Sequence, residues 1–142
     1  MVEKKPVLFL IISAYCLLGI DAQVNPLRER WYNLTRPYYE VCINETKVSR
    51  ELAYTTYLKG IYEEDACLMC FHRCVSTKLK LYTGSDVQIK AWVFPMGANQ
   101  YATVLCYEET YDILDRCQKI FYFTKCLDKK PNLRSTINVI FP

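Results

Sequence analysis

Six of the eight cysteines, Cys42, Cys70, Cys74, Cys106, Cys117 and Cys126, are separated by 27, 3, 31, 10 and 8 residues. Cys70 and Cys74 are four apart, so on a helix they share one face and can tether it to two other segments. Cys117 and Cys126 are nine apart, which on a helix places them about 180° around the axis from each other. That helix can be fastened to a different neighbour on each side. Three bridges of this kind enclose a small helical core.

The compartment must permit such bridges, and the N-terminus supplies the reason. Lys4 and Lys5, the apolar run Val7 to Ile20 and the small Ala22 read as a secretory signal peptide over residues 1–22, cut at Gln23. The run is too short to span a membrane, and nothing later reaches ~18 apolar residues. Cys16 leaves with this segment, so the exported chain keeps the six cysteines and Cys67. Secretion and cysteine content together indicate an oxidising, extracellular setting.

Residues 23–142 are enough for one domain, with no repeat, linker or low-complexity stretch. A chain of about 120 residues buries roughly two-thirds of its unfolded surface and gains from staples. Four charges in the signal segment cancel, leaving +3. So mild a balance, without clustered Lys or Arg, speaks against nucleic-acid binding. Only four glycines are present, which disfavours a turn-rich all-β fold.

Local signals predict about six helices. Asn25-Pro26 starts the first, which kinks near Pro37 and runs to Cys42. Ser49 and Leu52 open the second, closed by Gly60. The clearest helix covers about Glu63 to Tyr82, where Cys67, Cys70, Phe71, Cys74, Val75 and Leu79 recur at three- and four-residue steps, and Gly84 follows as a stop. Ser85-Asp86 caps a short helix carrying Trp92 and Val93, ended by Pro95. Another spans about Ala98 to Thr110. Asp112 caps the last, whose inner face holds Ile113, Cys117, Ile120 and Phe121. A tail from about 131 to 142 turns apolar again through Ile137, Val139, Ile140 and Phe141.

Six cysteines allow fifteen pairings. Cys70 and Cys74 sit ~6 Å apart along a helix and side by side, poorly placed to join each other, so they go to different partners. Cys117 and Cys126 likewise need two. In its six ordered cysteines, above all the three-residue gap Phe71-His72-Arg73 and the eight-residue gap before Cys126, the chain resembles the insect odorant-binding proteins, including pheromone-binding and general odorant-binding proteins. The likeness covers about Pro26 to Leu127; the 31-residue gap before Cys106 is somewhat short for it. It implies the pairing Cys42–Cys74, Cys70–Cys117 and Cys106–Cys126, and an all-α fold interlocked around an apolar cavity. Loop closure gives each bridge about 3–4 kcal/mol.

Cys67 departs from that pattern. It lies one turn before Cys70 without an evident partner, and reads as a free or capped thiol packed as a small apolar group, as the link of a homodimer, or as a member of an alternative internal pairing. Cys67, Cys70, His72 and Cys74 hint at zinc only superficially. The cysteines share one stripe while His72 points about 200° away from Cys70, so no metal or other cofactor is expected. On that helical wheel His72, the only histidine, falls on the polar side, and histidine-driven pH release finds little support. Catalysis fares no better. A lipase-like site needs a carboxylate after the histidine, but Arg73 follows, and there is no Gly-x-Ser-x-Gly or phosphate loop. Glu63-Glu64-Asp65 and Glu108-Glu109 read as solvated surface. No enzyme is expected.

Binding is the reading that remains. A shell pinned by bridges need not be filled by its own side chains, and an apolar guest gains up to ~0.8 kcal/mol per buried methylene. After association costs this allows roughly micromolar affinity. Leu52, Tyr57, Phe71, Val75, Leu79, Trp92, Phe94, Leu105, Ile120 and Phe121 are the candidate pocket residues, with tyrosine hydroxyls to orient a polar head. The tail is a candidate lid. Asn33-Leu34-Thr35 and Asn44-Glu45-Thr46 are N-glycosylation acceptors. The chain is thus expected to be a secreted carrier of a small odorant- or pheromone-like molecule, with a membrane receptor as a further partner. Two rivals stand beside it. One is a salivary member of the same scaffold, scavenging amines or lipid mediators or coating polyanions through Arg28, Arg30, Arg36, Lys47 and Arg50. The other is a helical interaction protein with no cavity.

Overall fold

A computed structural model describes residues 25–130. The signal segment with its cut at Gln23, and the apolar tail from 131, lie outside the described residues.

Helix α1, Pro26–Thr35, turns through a short 3-10 segment, Arg36–Tyr38, into α2, Tyr39–Thr46. The kink falls at Pro37, whose missing N–H interrupts the ladder. Then come α3 (Arg50–Lys59), α4 (Ala66–Lys78), the two-residue strands β1 (Tyr82–Thr83) and β2 (Asp86–Val87), α5 (Ile89–Val93), α6 (Gln100–Thr110) and α7 (Arg116–Lys129). Counting α1 and α2 as one bent helix, six helices make up the described fold, which is all-α.

Side-chain caps decide where most helices begin. Asn25, Ser49, Asp65, Asn99 and Asp115 each accept a hydrogen bond from a first-turn backbone N–H, at 2.8–3.1 Å. Gly60 closes α3 in the left-handed region, at φ +67°. Two expected starts move. Asp86 caps no helix; it pairs with Thr83 in the β1–β2 hairpin, and α5 begins later, at Ile89. Asp112 stays exposed, and Asp115 caps α7 instead, leaving Ile113 ahead of the helix. The long central helix is also shorter than its periodicity suggests. Glu63 and Glu64 precede it, and it ends at Lys78, beyond which Lys80 takes a positive φ.

Helix α4 is the axis of the molecule. It packs most extensively on α7 and then on α2. Bridges reinforce those contacts: Cys42–Cys74 ties α2 to α4, Cys70–Cys117 ties α4 to α7, and Cys106–Cys126 ties α6 to α7. A fourth tie is ionic. Arg28 of α1 donates from Nε and Nη2 to the two carboxylate oxygens of Asp128 on α7, at 3.1 and 3.0 Å. Gly60 lies directly against this fork.

Aromatic side chains fill the centre. Trp31 meets Trp92 edge-on at 5.5 Å, and Trp92 meets Phe123 at 5.2 Å. Both indole N–H groups are satisfied, Trp31 by the Met96 carbonyl and Trp92 by that of Leu81. These contacts hold α1, α5 and α7 together around an aromatic patch, with each large ring contributing about 2–3 kcal/mol through burial.

Candidate functional site

The second aromatic cluster is chemically different, because polar atoms sit inside it. Tyr39 touches Tyr57 and Phe71, and Phe121 touches Tyr62. In their midst is His72, with no exposure to solvent. Its ring lies 5.2 Å from Tyr57, 5.7 Å from Tyr62 in a stacked arrangement, and 5.4 Å from the edge of Phe121. The expected polar-side position of His72 is therefore overturned. Neighbours clasp α4 on several sides, so a residue two positions from Cys70 is interior as well. Burial lowers the imidazole pKa to about 3, which keeps the ring neutral at ordinary pH.

Three buried side-chain polar atoms have no hydrogen-bond partner among the described residues: His72 Nε2, Ser76 Oγ and Tyr82 Oη. Ser76 stands out against the other helical hydroxyls. Thr35, Thr46, Thr56, Thr77, Thr103, Thr110 and Thr124 each donate to the carbonyl four residues back. Ser76 does not. It lies one turn beyond His72 on α4, so both unpaired groups face the same way. Buried groups left unpaired cost about 1–3 kcal/mol each, and such a set is where a polar guest or water finds partners.

The candidate pocket residues separate into distinct settings. Tyr57, Phe71, Val75, Ile120 and Phe121 are buried in the core, Phe71 and Phe121 in ring contact with His72. Trp92 is equally buried but belongs to the Trp31 patch. Leu52 and Leu79 pack half-buried at the edge of the core. Leu105 is half-buried as well, because the inward positions of α6 are taken by Ala102, Thr103 and Cys106. Phe94 is 79% exposed: α5 turns Trp92 inward and ends before Phe94, whose extended backbone leaves the ring outside. Phe94 has no place in an internal pocket. His72, Ser76, Tyr62 and Tyr82 were not among the candidates. A helix bearing polar residues at apolar spacing was the one available sign of His72 and Ser76.

Among the described residues, clefts open at the surface in two places away from the His72 cluster. One, of about 350 Å³, runs along Glu45, Arg73, Lys78 and two of the bridges, and the other, of about 390 Å³, lies between α1 and Pro95. None of the ten candidate residues lines either. Among the described residues no group of His, Cys, Asp and Glu is arranged to hold a metal, and no helix is long and apolar enough to cross a membrane.

Interlocked bridges across an all-helical shell with an aromatic interior call for comparison with known families. The model of the PBP/GOBP family, the insect odorant-binding proteins, matches residues 27–130. The chain belongs to that family. The match takes in all six bridged cysteines and the whole cluster around His72. PBP/GOBP proteins are binding proteins rather than enzymes, and their role is to carry small apolar ligands. No curated protein matches the chain.

Proposed function

We propose that the chain is a secreted carrier that takes a small, largely apolar molecule into the aromatic interior around His72. Family membership gives the class of function. The observation that carries the reading further is the buried, unpaired Nε2 of His72 set among aromatic rings, with the unpaired Ser76 Oγ one turn along the same helix, an apolar surround with a few polar contacts. Tyr57, Phe71, Val75, Ile120 and Phe121 form the apolar wall, with Leu52 and Leu79 at its rim.

Displacement of the fluorescent probe N-phenyl-1-naphthylamine by small lipophiles tests this. Binding in the micromolar range is expected; absence of binding by probe and lipophiles alike rules the carrier out and leaves a helical interaction protein. The lid role of the 131–142 tail is checked by truncation after Asn132, which should speed ligand release. Asn33 and Asn44 are both exposed, as attached sugars require, and a mobility shift on glycosidase treatment would reveal them. Cys67 is half-buried and unpaired, so intact mass without reductant decides between free thiol and covalent dimer.

The geometry disfavours the salivary alternatives. Amine capture wants an unpaired interior carboxylate, yet Asp128 is held in the fork of Arg28. Polyanion coating wants a cluster of free basic side chains; of the five candidates Arg28 pairs with Asp128, Arg30 donates to the Pro95 carbonyl and Arg50 pairs with Glu40, leaving the exposed Arg36 and Lys47.

A further inference from the structure

The hydrogen bond between Tyr57 and His72 bears on which imidazole nitrogen is left for a guest. Tyr57 Oη lies 3.3 Å from His72 Nδ1, its one hydrogen-bond partner among the described residues. The phenol is 1% exposed, and burial pushes its pKa well up, so it keeps its proton. A buried hydroxyl donates to the acceptor within reach, and here that is Nδ1. The neutral ring then carries its proton on Nε2. That nitrogen is buried and unpaired, on a ring packed against Phe71, Tyr62 and Phe121. Leaving a donor in such a place is costly unless an acceptor arrives.

We infer that His72 Nε2–H is the anchoring donor for the polar end of the guest, and that the carrier prefers neutral molecules ending in an oxygen acceptor, such as aldehydes, ketones or esters, over alkylammonium ions and bare hydrocarbons. Tyr57 acts through His72 as a positioning residue. An ammonium head has no lone pair to offer Nε2–H, and Asp128, the buried carboxylate among the described residues, is already held by Arg28. A hydrocarbon of the same length fills the apolar wall but leaves the donor unpaired. This assignment rests on the carrier reading and narrows its ligand class.

Because the chain holds a single histidine, a long-range proton–nitrogen NMR spectrum of the labelled, oxidised protein reads this ring alone. At pH 7 the expected pattern is a protonated Nε2 and an unprotonated Nδ1. Octanal should shift the Nε2 signal, whereas octane should leave it in place. In probe displacement octanal should bind about tenfold more tightly than octane or octylamine, the worth of one net hydrogen bond. His72→Phe should bring the octanal-to-octane ratio to about one. Should that variant fail to fold, Tyr57→Phe should give mixed tautomers and a smaller ratio with the histidine in place. A proton found on Nδ1, or octanal bound without any change at Nε2 because only water sits there, overturns the inference. Equal binding of octanal and octane sinks this preference alone, whereas no binding by either removes the carrier itself.

Discussion

A methyl group on Gly60 would fall 2.4 Å from Nη2 of Arg28 and 2.9 Å from Oδ2 of Asp128, on a backbone whose φ of +67° already disfavours side chains. Gly60→Ala should therefore cost about 2–3 kcal/mol, seen as a lower urea midpoint, part from the dihedral and part from the displaced fork. Arg28→Ala removes the guanidinium from a buried carboxylate. With Arg28 a quarter exposed, about 2 kcal/mol is expected rather than the larger loss of a fully buried pair. The two changes share one contact, so the double variant should lose less than their sum; strict additivity would show that the fork does not feel Gly60. His72 gives a pH dependence. Its folded pKa, about 3, lies below the unfolded value of about 6.5. Between those values the unfolded chain binds the extra proton, so acid favours unfolding. Stability should fall by up to about 1.4 kcal/mol per pH unit on acidification from about pH 6.5. His72→Phe should flatten the slope between pH 6.5 and 5, above the range where carboxylates dominate. The glycine's role was legible from sequence as a helix stop. That His72 is interior was not, because helical spacing assumes one buried face and α4 is covered on several.

Helix boundaries follow chemistry that is local in some places and distant in others. Asn25, Ser49 and Gly60 act on neighbours within three or four residues, and sequence located all three. Asp86 and Asp112 carry equally suitable side chains but cap nothing. Asp86 spends its carboxylate on the Val87 N–H and on the hydroxyl of Tyr107, 21 residues away. At α7 only Ile113 and Leu114 separate Asp112 from Asp115, and the start that wins brings Cys117 opposite Cys70, a constraint no local pattern contains. Asp115→Ala should cost about 1 kcal/mol and speed hydrogen exchange in the first turn of α7. The bridge at Cys117 should confine that opening, leaving protection from Ile120 onward unchanged; loss of protection along all of α7 would contradict this. The absence of Phe94 from the interior has the same origin, since the length of α5, not the hydrophobicity of the residue, put it outside.

Across the whole molecule, the bridges close loops of unequal length. Cys70–Cys117 spans 47 residues and Cys106–Cys126 spans 20. Chain entropy assigns about 4 kcal/mol to the first and about 3 kcal/mol to the second, before strain or cavity effects. Replacing Cys70 and Cys117 together by alanine should thus lower the thermal midpoint more than replacing Cys106 and Cys126; the reverse order would show that packing against the cysteines outweighs loop closure. The all-helical fold was legible because six cysteines at fixed gaps leave few architectures open. The site was legible only as apolar positions, since an unpaired polar atom is a property of assembled neighbours and has no signature in composition or spacing. The Arg28–Asp128 fork has one more consequence. It sets the two ends of the described span side by side, so a handful of glycine and serine residues could join Asn25 to Lys130. The hairpin glycine at 84, with nothing within 4 Å of where a Cβ would stand, offers the place to cut. A circularly permuted chain opened there should still close its three bridges, and the order of synthesis would then matter little to how the shell is built.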